Sequence, residues 1–356
     1  MPLYVSVLLP DDLASFTMPI YHYILRRLLL LVPLLIGVTL LAFMVANAVP
    51  ADPVTANLGQ KAMSDPKIVA AFRAEWGLDR PMVEQYAVYI GNLVTGDLGR
   101  SIKSRRPVAE DLASYLPATI ELATAAILIG VTVGILLGLL SALRRNSWLD
   151  HLARIVSLFG VSTPVFWLAL VALYIFYVRL GWVAGPGRLD AGIDAPPHMT
   201  GLYTLDALLA GQWATFGNAL SHLVLPALVL ASYTMGLITR VTRSSMLEVL
   251  NMDYIRTARA KGLANHRIVM RHALRNALIP LITVVGFSYG NLLAGTVLTE
   301  AIFAWPGIGQ YAYRASTALD FPAIMGVSLL IALIFIFINL IVDVLYFVVD
   351  PRLRAS

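Results

Sequence analysis

The chain has 356 residues, of which 58% are hydrophobic and only 13% are charged. Soluble domains have about 45–50% apolar and about 25% charged residues, so this composition excludes an ordinary water-soluble enzyme and a disordered chain. The formal net charge is +5, and the chain has no cysteine, which excludes a disulfide, a thiolate metal site and a cysteine nucleophile.

Apolar stretches long enough to cross a bilayer recur along the chain. A hydrocarbon core of about 30 Å needs about 20 apolar residues in a helix. The first stretch is longer than the apolar region of a signal peptide and lacks a small-residue cleavage site, so we expect it to remain as a span. The sequence therefore predicts an all-α membrane protein with six transmembrane helices. The predicted spans are residues 28–48, 118–143, 155–180, 220–238, 278–297 and 324–349.

Residues 49–117, between the first two spans, predict a small helical insertion on the extracytoplasmic side. Apolar residues at helical spacing mark one helix before Gly77 and a second helix between Pro81 and Gly96. They are Ile68, Val69, Phe72 and Trp76 in the first helix, and Val83, Tyr86, Ile90, Leu93 and Val94 in the second.

The distribution of Lys and Arg predicts the orientation of the chain. Short loops rich in basic residues stay in the cytoplasm, whereas long loops cross largely regardless of their charge. Basic residues concentrate in the N-terminal segment 1–27, in the 239–277 connection and in the tail 350–356. Both termini are therefore predicted to be cytoplasmic, with residues 118–349 as the transmembrane core. Met1 and Met18 are both candidate start positions.

The chain lacks the sequence features of an autonomous pump. Ionisable residues in the predicted spans, Glu121, Arg179 and Asp343, lie only near span ends, whereas ion-coupled carriers often use a relay across the middle. The ATP-binding pattern G-x-x-x-x-G-K-[ST] is also absent, so the chain does not hydrolyse ATP by that route. Uphill transport would then require a separate energy-supplying subunit on the cytoplasmic side.

The 239–277 connection predicts a short helix held at a bend between the fourth and fifth spans. This helix closes at Gly262 in the left-handed conformation, and a second helix runs over about residues 266–276. From charge alone, contact with anionic lipid and docking of a partner protein are equally good interpretations of this basic segment. The residues that share one face of the first helix are Leu250, Tyr254, Ile255 and Ala258.

The same segment resembles the EAA loop of ABC importer permeases, a motif that reads E-A-A, three residues, then G. Ala258 and Gly262 match this motif, whereas Arg256 and Thr257 replace its first two letters. The wider 242–280 stretch is similar to the dipeptide, oligopeptide and nickel branch of these permeases, and the resemblance extends over nearly all of residues 21–353. Further matching strings are Gly96-Asp97-Leu98-Gly99, Leu298-Thr299-Glu300 and Trp305-Pro306-Gly307-Ile308-Gly309.

The resemblance implies the type I ABC importer permease fold, an inner-membrane location and alternating-access transport of dipeptides or related small solutes. The substrate stays open among dipeptides, longer peptides, nickel chelates, glutathione and haem-like compounds. The implied coupling helix, which would sit in a groove of an ATPase subunit, comprises Tyr254, Ile255, Arg256, Thr257, Ala258, Arg259, Ala260, Lys261, Gly262 and Leu263.

The resemblance also implies a set of partners. These are a homologous second permease subunit, two ATP-binding subunits on the cytoplasmic face and an extracytoplasmic substrate-binding protein, with membrane lipid around the spans and no nucleic acid. ATP and Mg would be bound by the ATPase subunits. The chain itself is expected to have no catalytic residue, no metal and no cofactor.

Rows of small residues in the second and fifth spans predict close helix packing in lipid. A smooth face lining a pore is the alternative interpretation, and packing is the favoured one. The rows comprise Gly130, Gly134 and Gly138 in the second span, and Gly286 and Gly290 in the fifth.

The fifth span also carries the polar residues Ser288, Asn291 and Thr296, which are candidates for the lining of a translocation path. Ser288 is the centre of a literal G-x-S-x-G string, which in hydrolases forms a nucleophile elbow between a strand and a helix. The alternative function is therefore an intramembrane serine hydrolase that pairs Ser288 with His222. Transport is preferred because the string lies within a predicted helix, with no strand before it.

Overall fold

In the computed structural model, helices provide the regular structure. Among the residues that the structure describes, the only β pairing is an isolated bridge between Arg100 and Pro107. Met1, Met18 and the tail 350–356 lie outside the described residues. The structure describes residues 20–48, 53–58, 60–294 and 296–349.

The first half of the chain forms a long helix, a group of short helices, a second long helix and a broken pair. π-helical turns over Leu173–Arg179 continue the last of these helices. The helices are α1 (Ile20–Ala48), α2 (Pro53–Asn57), α3 (Gln60–Met63), α4 (Pro66–Glu75), α5 (Met82–Val94), α6 (Val108–Leu143), α7 (Trp148–Ser162) and α8 (Val165–Ala172).

The second half alternates long helices with short connecting helices. A π-helical turn over Ile268–Ala273 joins α12 to α13. The helices are α9 (Tyr203–Leu209), α10 (Trp213–Leu250), α11 (Asp253–Ala260), α12 (Asn265–Arg267), α13 (Leu274–Ala277), α14 (Ile279–Leu293), α15 (Val297–Ile302), α16 (Ile308–Thr317) and α17 (Phe321–Val349).

Within the described ranges, three helices are long and apolar enough to cross a membrane: α6, α10 and residues Phe321–Leu345 of α17. Two bent pairs meet the same criterion together, namely Trp148–Ser162 with Val165–Arg179 and Asn265–Ala277 with Ile279–Leu293. α1 contains the shorter apolar stretch Leu29–Val45. The six predicted spans fall on these elements, and the number of crossings stays a prediction.

Several helices extend beyond the predicted apolar cores. α6 begins at Val108, ten residues before its predicted span (118 − 108 = 10), and α10 runs from Trp213 to Leu250 rather than over residues 220–238. The two helices predicted within residues 49–117 are present as α4 and α5.

The third predicted span, residues 155–180, is not one straight helix. α7 ends at Ser162 and α8 begins at Val165, and the two helices meet at 104°. Pro164 has no N–H to continue the helix, and it disfavours the helical conformation of the preceding residue. Thr163 accordingly has an extended backbone, with φ −83° and ψ 128°.

α6 and α10 pack closely along their lengths and run in the same direction. A Cβ atom added to any of three glycines of α6 would meet a residue of α10, and the contacted residue advances by four positions each time the glycine does. In the predicted topology, with six spans and a cytoplasmic N-terminus, spans two and four cross the membrane in the same direction. That topology requires this parallel arrangement. The pairs are Gly130 with Thr234, Gly134 with Ile238 and Gly138 with Thr242.

The bundle has two ends with different chemistry. We call the end where α6, α10 and α17 begin the loop-rich end, because the connections before α6 and α10 and helices α15 and α16 cover it. We call the end where α6 and α10 finish the basic end, because the 239–277 connection folds back there.

Candidate functional site

Helix α11, within the 239–277 connection, is anchored to the basic end by its apolar face. Ile255 is fully buried among Met246 and Val249 of α10, Ala142 of α6 and Ile268 of the following turn. Ala258 and Leu263 pack against the same cluster. The helix therefore rests on a core that joins it to both long helices.

Helix α11 ends in a Schellman motif. The amide of Leu263 donates to the carbonyl of Ala258 at 3.3 Å, and the amide of Gly262 donates to the carbonyl of Arg259 at 2.9 Å. Gly262 has φ +74°, the left-handed conformation predicted for it, and a Cβ atom there would meet nothing within 4 Å. Glycine is favoured at this position by the backbone conformation and not by lack of space.

The opposite face of α11 is exposed and polar. The side chains of Arg256 and Asp253 are 71% and 94% exposed and form a surface ion pair of 3.2 Å. Thr257, Arg259 and Ala260 are also exposed. Because Ile255 fixes the inner face, this outer face is a rigid, solvent-accessible surface of the kind that a partner can contact.

Tyr254 lies between these two faces. It is 39% exposed, and its hydroxyl accepts a hydrogen bond of 2.7 Å from the side-chain amide of Asn276. It was predicted to share the apolar face, and it instead links α11 to the helical turns that lead into α14. Lys261 is exposed at the C-terminal cap of α11.

An ion pair that sequence analysis did not identify joins the helices that carry this segment. Asp150 of α7 is fully buried, and Arg243 of α10 donates to both of its carboxylate oxygens at 2.8 and 2.9 Å. The hydroxyl of Ser141 in α6 and the amide of Asn146 donate to the same carboxylate at 2.5 and 2.9 Å. This cluster holds α6, α7 and α10 together immediately before α11.

The three predicted path residues line one cavity between α8, α10, α14 and α15, which we call the central cavity. It has a volume of about 410 Å³, within the usual range for small-molecule sites. Ser288 is buried, Thr296 is half-buried and Asn291 is exposed. The cavity is thus lined partly by accessible polar groups.

The rest of the lining of the central cavity comes from residues that sequence analysis did not single out. Tyr233 and Thr234 of α10 contribute polar side chains, and the bend at Pro164 contributes Val165 and Phe166. None of the described lining residues is charged. A neutral cavity of this kind binds a solute through hydrogen bonds and apolar contact instead of ion pairing.

The structure does not bring Ser288 and His222 into one site. His222 does not line the central cavity, and its two ring nitrogens lie 2.9 Å from the carbonyl of Gly185 and 3.2 Å from the carboxylate of Asp190. Residues 286–290 are helical, so the strand-turn-helix geometry of a nucleophile elbow is not present there. This geometry does not support the hydrolase alternative.

The glycines of the fifth span face α17. A Cβ atom on Gly286 would collide with Val342, and one on Gly290 would lie 3.3 Å from Phe335. Ser288, between them, points to the central cavity instead. One face of α14 therefore packs against α17, and another face lines the central cavity.

Buried acidic groups fix the loop-rich end. Glu121 of α6 accepts hydrogen bonds from Arg188 and from Thr204, and the guanidinium of Arg188 stacks 3.5 Å from the ring centre of Tyr203. The predicted span-end residue Glu121 is thus a structural partner of the 181–219 loop, a segment to which the sequence assigned no role.

Glu300, at the start of α15, is the most deeply buried acid of this end. Its carboxylate accepts hydrogen bonds from the hydroxyl of Thr119 at 2.9 Å and from the amide of Gln310 at 3.0 Å, with no cation on either oxygen within the described part of the chain. Burial raises the pKa of Glu300 from 4.5 to about 7.

Comparison with protein families gives two matches that together span most of the chain. Residues 134–355 match the family described as binding-protein-dependent transport system inner membrane component. Residues 20–123 match the N-terminal family of the same transport-system membrane components.

Curated relatives are similar over nearly their whole length. The probable D,D-dipeptide transport system permease protein DdpB of Escherichia coli is 49% identical, over 91% of this chain and 94% of its own. The di/tripeptide transport system permease protein DppB of Pseudomonas aeruginosa is 46% identical, over 93% and 98%. The dipeptide transport system permease protein DppB of Alkalihalophilus pseudofirmus is 45% identical, over 93% and 99%.

Among solved structures, a chain of the MetNI methionine ABC transporter in an inward-facing conformation is similar in fold. The TM-score is 0.50 at 18% identity, and the match covers 67% of this chain and 96% of that chain. At this identity, the likeness concerns the fold alone.

Proposed function

The chain belongs to the family of binding-protein-dependent transport system inner membrane components, and we propose that it carries dipeptides or related small solutes across the inner membrane. It is a transmembrane permease subunit of an ABC importer. The names of its relatives refer to dipeptides, D,D-dipeptides and di/tripeptides, which supports short peptides as the substrate class.

We assign the basic end to the cytoplasm, with both termini on that side and six helices crossing the membrane. The basic residues of the 239–277 connection support this orientation, since short basic loops are retained inside. The insertion that contains α4 and α5 then lies toward the extracytoplasmic side. There a substrate-binding protein would deliver the solute to this subunit and a homologous second permease.

The observation that carries the docking assignment is the geometry of α11. Its inner face is anchored by the fully buried Ile255, and its outer face exposes Arg256, Thr257 and Ala260. A short helix fixed in this way transmits a push from an ATPase subunit to α10 and to the turns before α14 without deforming. ATP and Mg are bound by that subunit in this mechanism.

Alternating access follows from where α11 is attached. Closure of two ATPase subunits on ATP would move α11. The apolar cluster around Ile255 would pass this movement to α10 and to the helical turns that lead into α14. Both helices contribute residues to the lining of the central cavity, so their relative movement would open it to one side of the membrane and then to the other. The neutral lining of the cavity suits solutes whose side chains vary.

The docking assignment is tested by adding bulk to the exposed face of α11. Ala260→Trp leaves the buried Ile255 face intact, and we expect ATP-driven uptake by the reconstituted transporter to fall at least about tenfold, as for the loss of one well-packed contact. Co-purification of the ATPase subunit should fall with it. Ala71→Trp, on the exposed side of α4, is the matched control and should change neither. Normal uptake by the Ala260 variant would exclude α11 as the docking helix.

The cap of α11 provides a second test, since Gly262 is required for its backbone conformation. Gly262→Val forces a β-branched residue into φ +74°, at a cost of about 1–2 kcal/mol, and we expect transport to be uncoupled while the protein still inserts. Gly262→Asn should retain most activity, because asparagine tolerates this conformation. Equal uptake by both variants would mean that the cap does not matter for coupling.

A further inference from the structure

A second and larger cavity, of about 560 Å³, lies beside the insertion, and we call it the insertion cavity. Its walls come from the end of α1, the turn between α4 and α5, helix α5 itself, residues 97–102 and the start of α17. It shares no lining residue with the central cavity, so the transport path proposed above does not use it.

Two buried polar groups in the wall of this cavity lack partners. The indole Nε1 of Trp76 and the hydroxyl of Tyr89 are shielded from solvent and have no hydrogen-bond partner in the described residues. Leaving a buried donor unpaired costs about 1–3 kcal/mol, and such groups are rare in folded proteins. Both groups are hydrogen-bond donors, so a ligand that satisfies them must offer acceptor oxygens.

Two arginines in the cavity wall are available to an anionic acceptor. Arg80 and Arg100 both line the cavity. Arg80 makes only a loose surface ion pair of 3.6 Å with Glu84, and no carboxylate within the described residues pairs with Arg100. The acidic lining residues are already engaged, since Glu75 pairs with Arg105 and Asp97 accepts from the amide of Gly99. The uncommitted groups therefore form a site for a phosphate or carboxylate.

The position of the cavity indicates which anion reaches it. Its α1 wall, Phe43 and Asn47, coincides with the end of the apolar stretch Leu29–Val45. Helix α5 also lies against this stretch, because the hydroxyl of Tyr86 is 3.2 Å from both the carbonyl of Ile36 and the hydroxyl of Thr39. The cavity is thus at the level where the hydrocarbon of a bilayer gives way to headgroups.

The surroundings of the cavity are apolar and open. α5 exposes Val83 and Val94, which are 84% and 83% accessible, and α1 exposes Leu41 and Met44. Acyl chains would cover these side chains, while aromatic residues of the cavity wall sit at the headgroup level, where Trp and Tyr concentrate in membrane proteins.

From this combination we propose that the insertion cavity binds a phospholipid, whose phosphate accepts hydrogen bonds from Trp76 and Tyr89 and whose acyl chains lie along α1 and α5. A bound lipid would tie the insertion to α1 and α17, which both contribute to the wall of this cavity. The site is separate from docking and transport, so it holds or fails independently of the proposed function.

The test is native mass spectrometry of the complete, delipidated transporter with added lipids. We expect phosphatidylglycerol and phosphatidylethanolamine to bind at one site, and diacylglycerol, which lacks the phosphate, to bind at least about tenfold more weakly. Glycerol 3-phosphate and inorganic phosphate should not compete at equal concentration, because they lack the acyl chains. Equal binding of diacylglycerol, or displacement of lipid by either free phosphate, would overturn the proposal.

Conservative variants assign the binding to this cavity. Trp76→Phe and Tyr89→Phe keep the rings and remove one donor each, and each should weaken phospholipid binding about tenfold. Tyr86→Phe and Trp213→Phe are matched controls, because neither residue lines the cavity, and they should bind lipid as the wild type does. Unchanged phospholipid binding by both Trp76→Phe and Tyr89→Phe would overturn the proposal. If dialanine bound and its binding depended on Trp76, the cavity would be a peptide site, and the proposal would also be wrong. If a variant does not assemble, Arg100→Gln, an exposed position, provides the same comparison.

Discussion

Two carboxylates at opposite ends of the bundle, Asp150 at the basic end and Glu300 at the loop-rich end, are both fully buried but are stabilised differently. Asp150 faces the guanidinium of Arg243 with two hydrogen bonds below 3 Å. Glu300 has only neutral donors, from Thr119 and Gln310. The first is an ion pair, whereas the second is a charge that burial makes unfavourable.

The difference indicates how each end responds to its surroundings. An ion pair fixed by a bidentate fork keeps its geometry over a wide range of conditions, and this one joins α7 to α10 with Ser141 of α6 bound to the same carboxylate. A carboxyl group with a pKa of about 7 changes its charge near neutral pH. The charge on Glu300 therefore changes near neutral pH, whereas the Arg243 side chain holds the pKa of Asp150 well below its usual range and keeps that carboxyl charged.

The largest expected effect is at the basic end. Asp150→Asn leaves the partly buried Arg243 without a counter-charge, and we expect the free energy of unfolding to fall by about 3–4 kcal/mol. The readout is the denaturation midpoint of the purified protein in detergent. Asp253→Asn, at a 94% exposed side chain, is the matched control and should leave the midpoint unchanged. Equal midpoints for the two variants would show that the ion pair does not stabilise this end.

Glu300 should produce a smaller effect that depends on pH. Its pKa in the folded state, about 7, lies above the ordinary 4.5, so between these values the folded protein keeps a proton that the unfolded chain releases. Stability therefore falls as pH rises from about 4.5 to 7, by about 3 kcal/mol in total.

Glu300→Gln should remove this slope, because its amide can donate to Thr119 and accept from Gln310 without carrying charge. Thermal unfolding of both proteins from pH 5 to pH 8 measures the difference, with the variant more stable at pH 8. A slope that persists unchanged in the variant would place the titrating group elsewhere.

The smallest effects come from the single hydroxyl groups that serve each carboxylate. Ser141→Ala removes one of several donors to Asp150, and we expect a loss of about 1 kcal/mol. Thr119→Val removes the hydroxyl donor to Glu300 and an acceptor for the amide of Ile308, and we expect a loss of about 2 kcal/mol at pH 8. Denaturation midpoints of the two variants measured together test the order. A larger loss for the Ser141 variant would mean that the ion pair depends on its hydroxyl more than its geometry indicates.

The long helices were predictable from sequence, but their polar extensions were not. An apolar run of about 20 residues is visible without knowledge of its neighbours. Residues 108–117 include Glu110 and Asp111, and their polarity predicts a loop. They are helical, and the carboxylate of Asp111 accepts hydrogen bonds from the hydroxyls of Ser104 and Tyr311. Tyr311 is 200 positions away, and a pairing over that distance leaves no local pattern.

The candidate site was predictable to a similar degree. The helical period and Gly262 indicated α11, because the anchor and the cap are local features. The partner of Asp150 lies 93 positions away, so the ion pair was not predictable. Polarity identified Ser288, Asn291 and Thr296, whereas Tyr233 and Thr234 were missed because the inward face of a helix depends on the helices around it.

Thr234 takes part in two structures at once. It lies against Gly130 in the parallel packing of α6 with α10, and it also forms part of the wall of the central cavity. A change in the size of this side chain alters the spacing of the two helices as well as the shape of the chamber. Substitutions at the Pro164 bend or at Asn291 are therefore better suited to changing the shape of the chamber, because neither residue lies in the glycine contacts that set the spacing of α6 and α10.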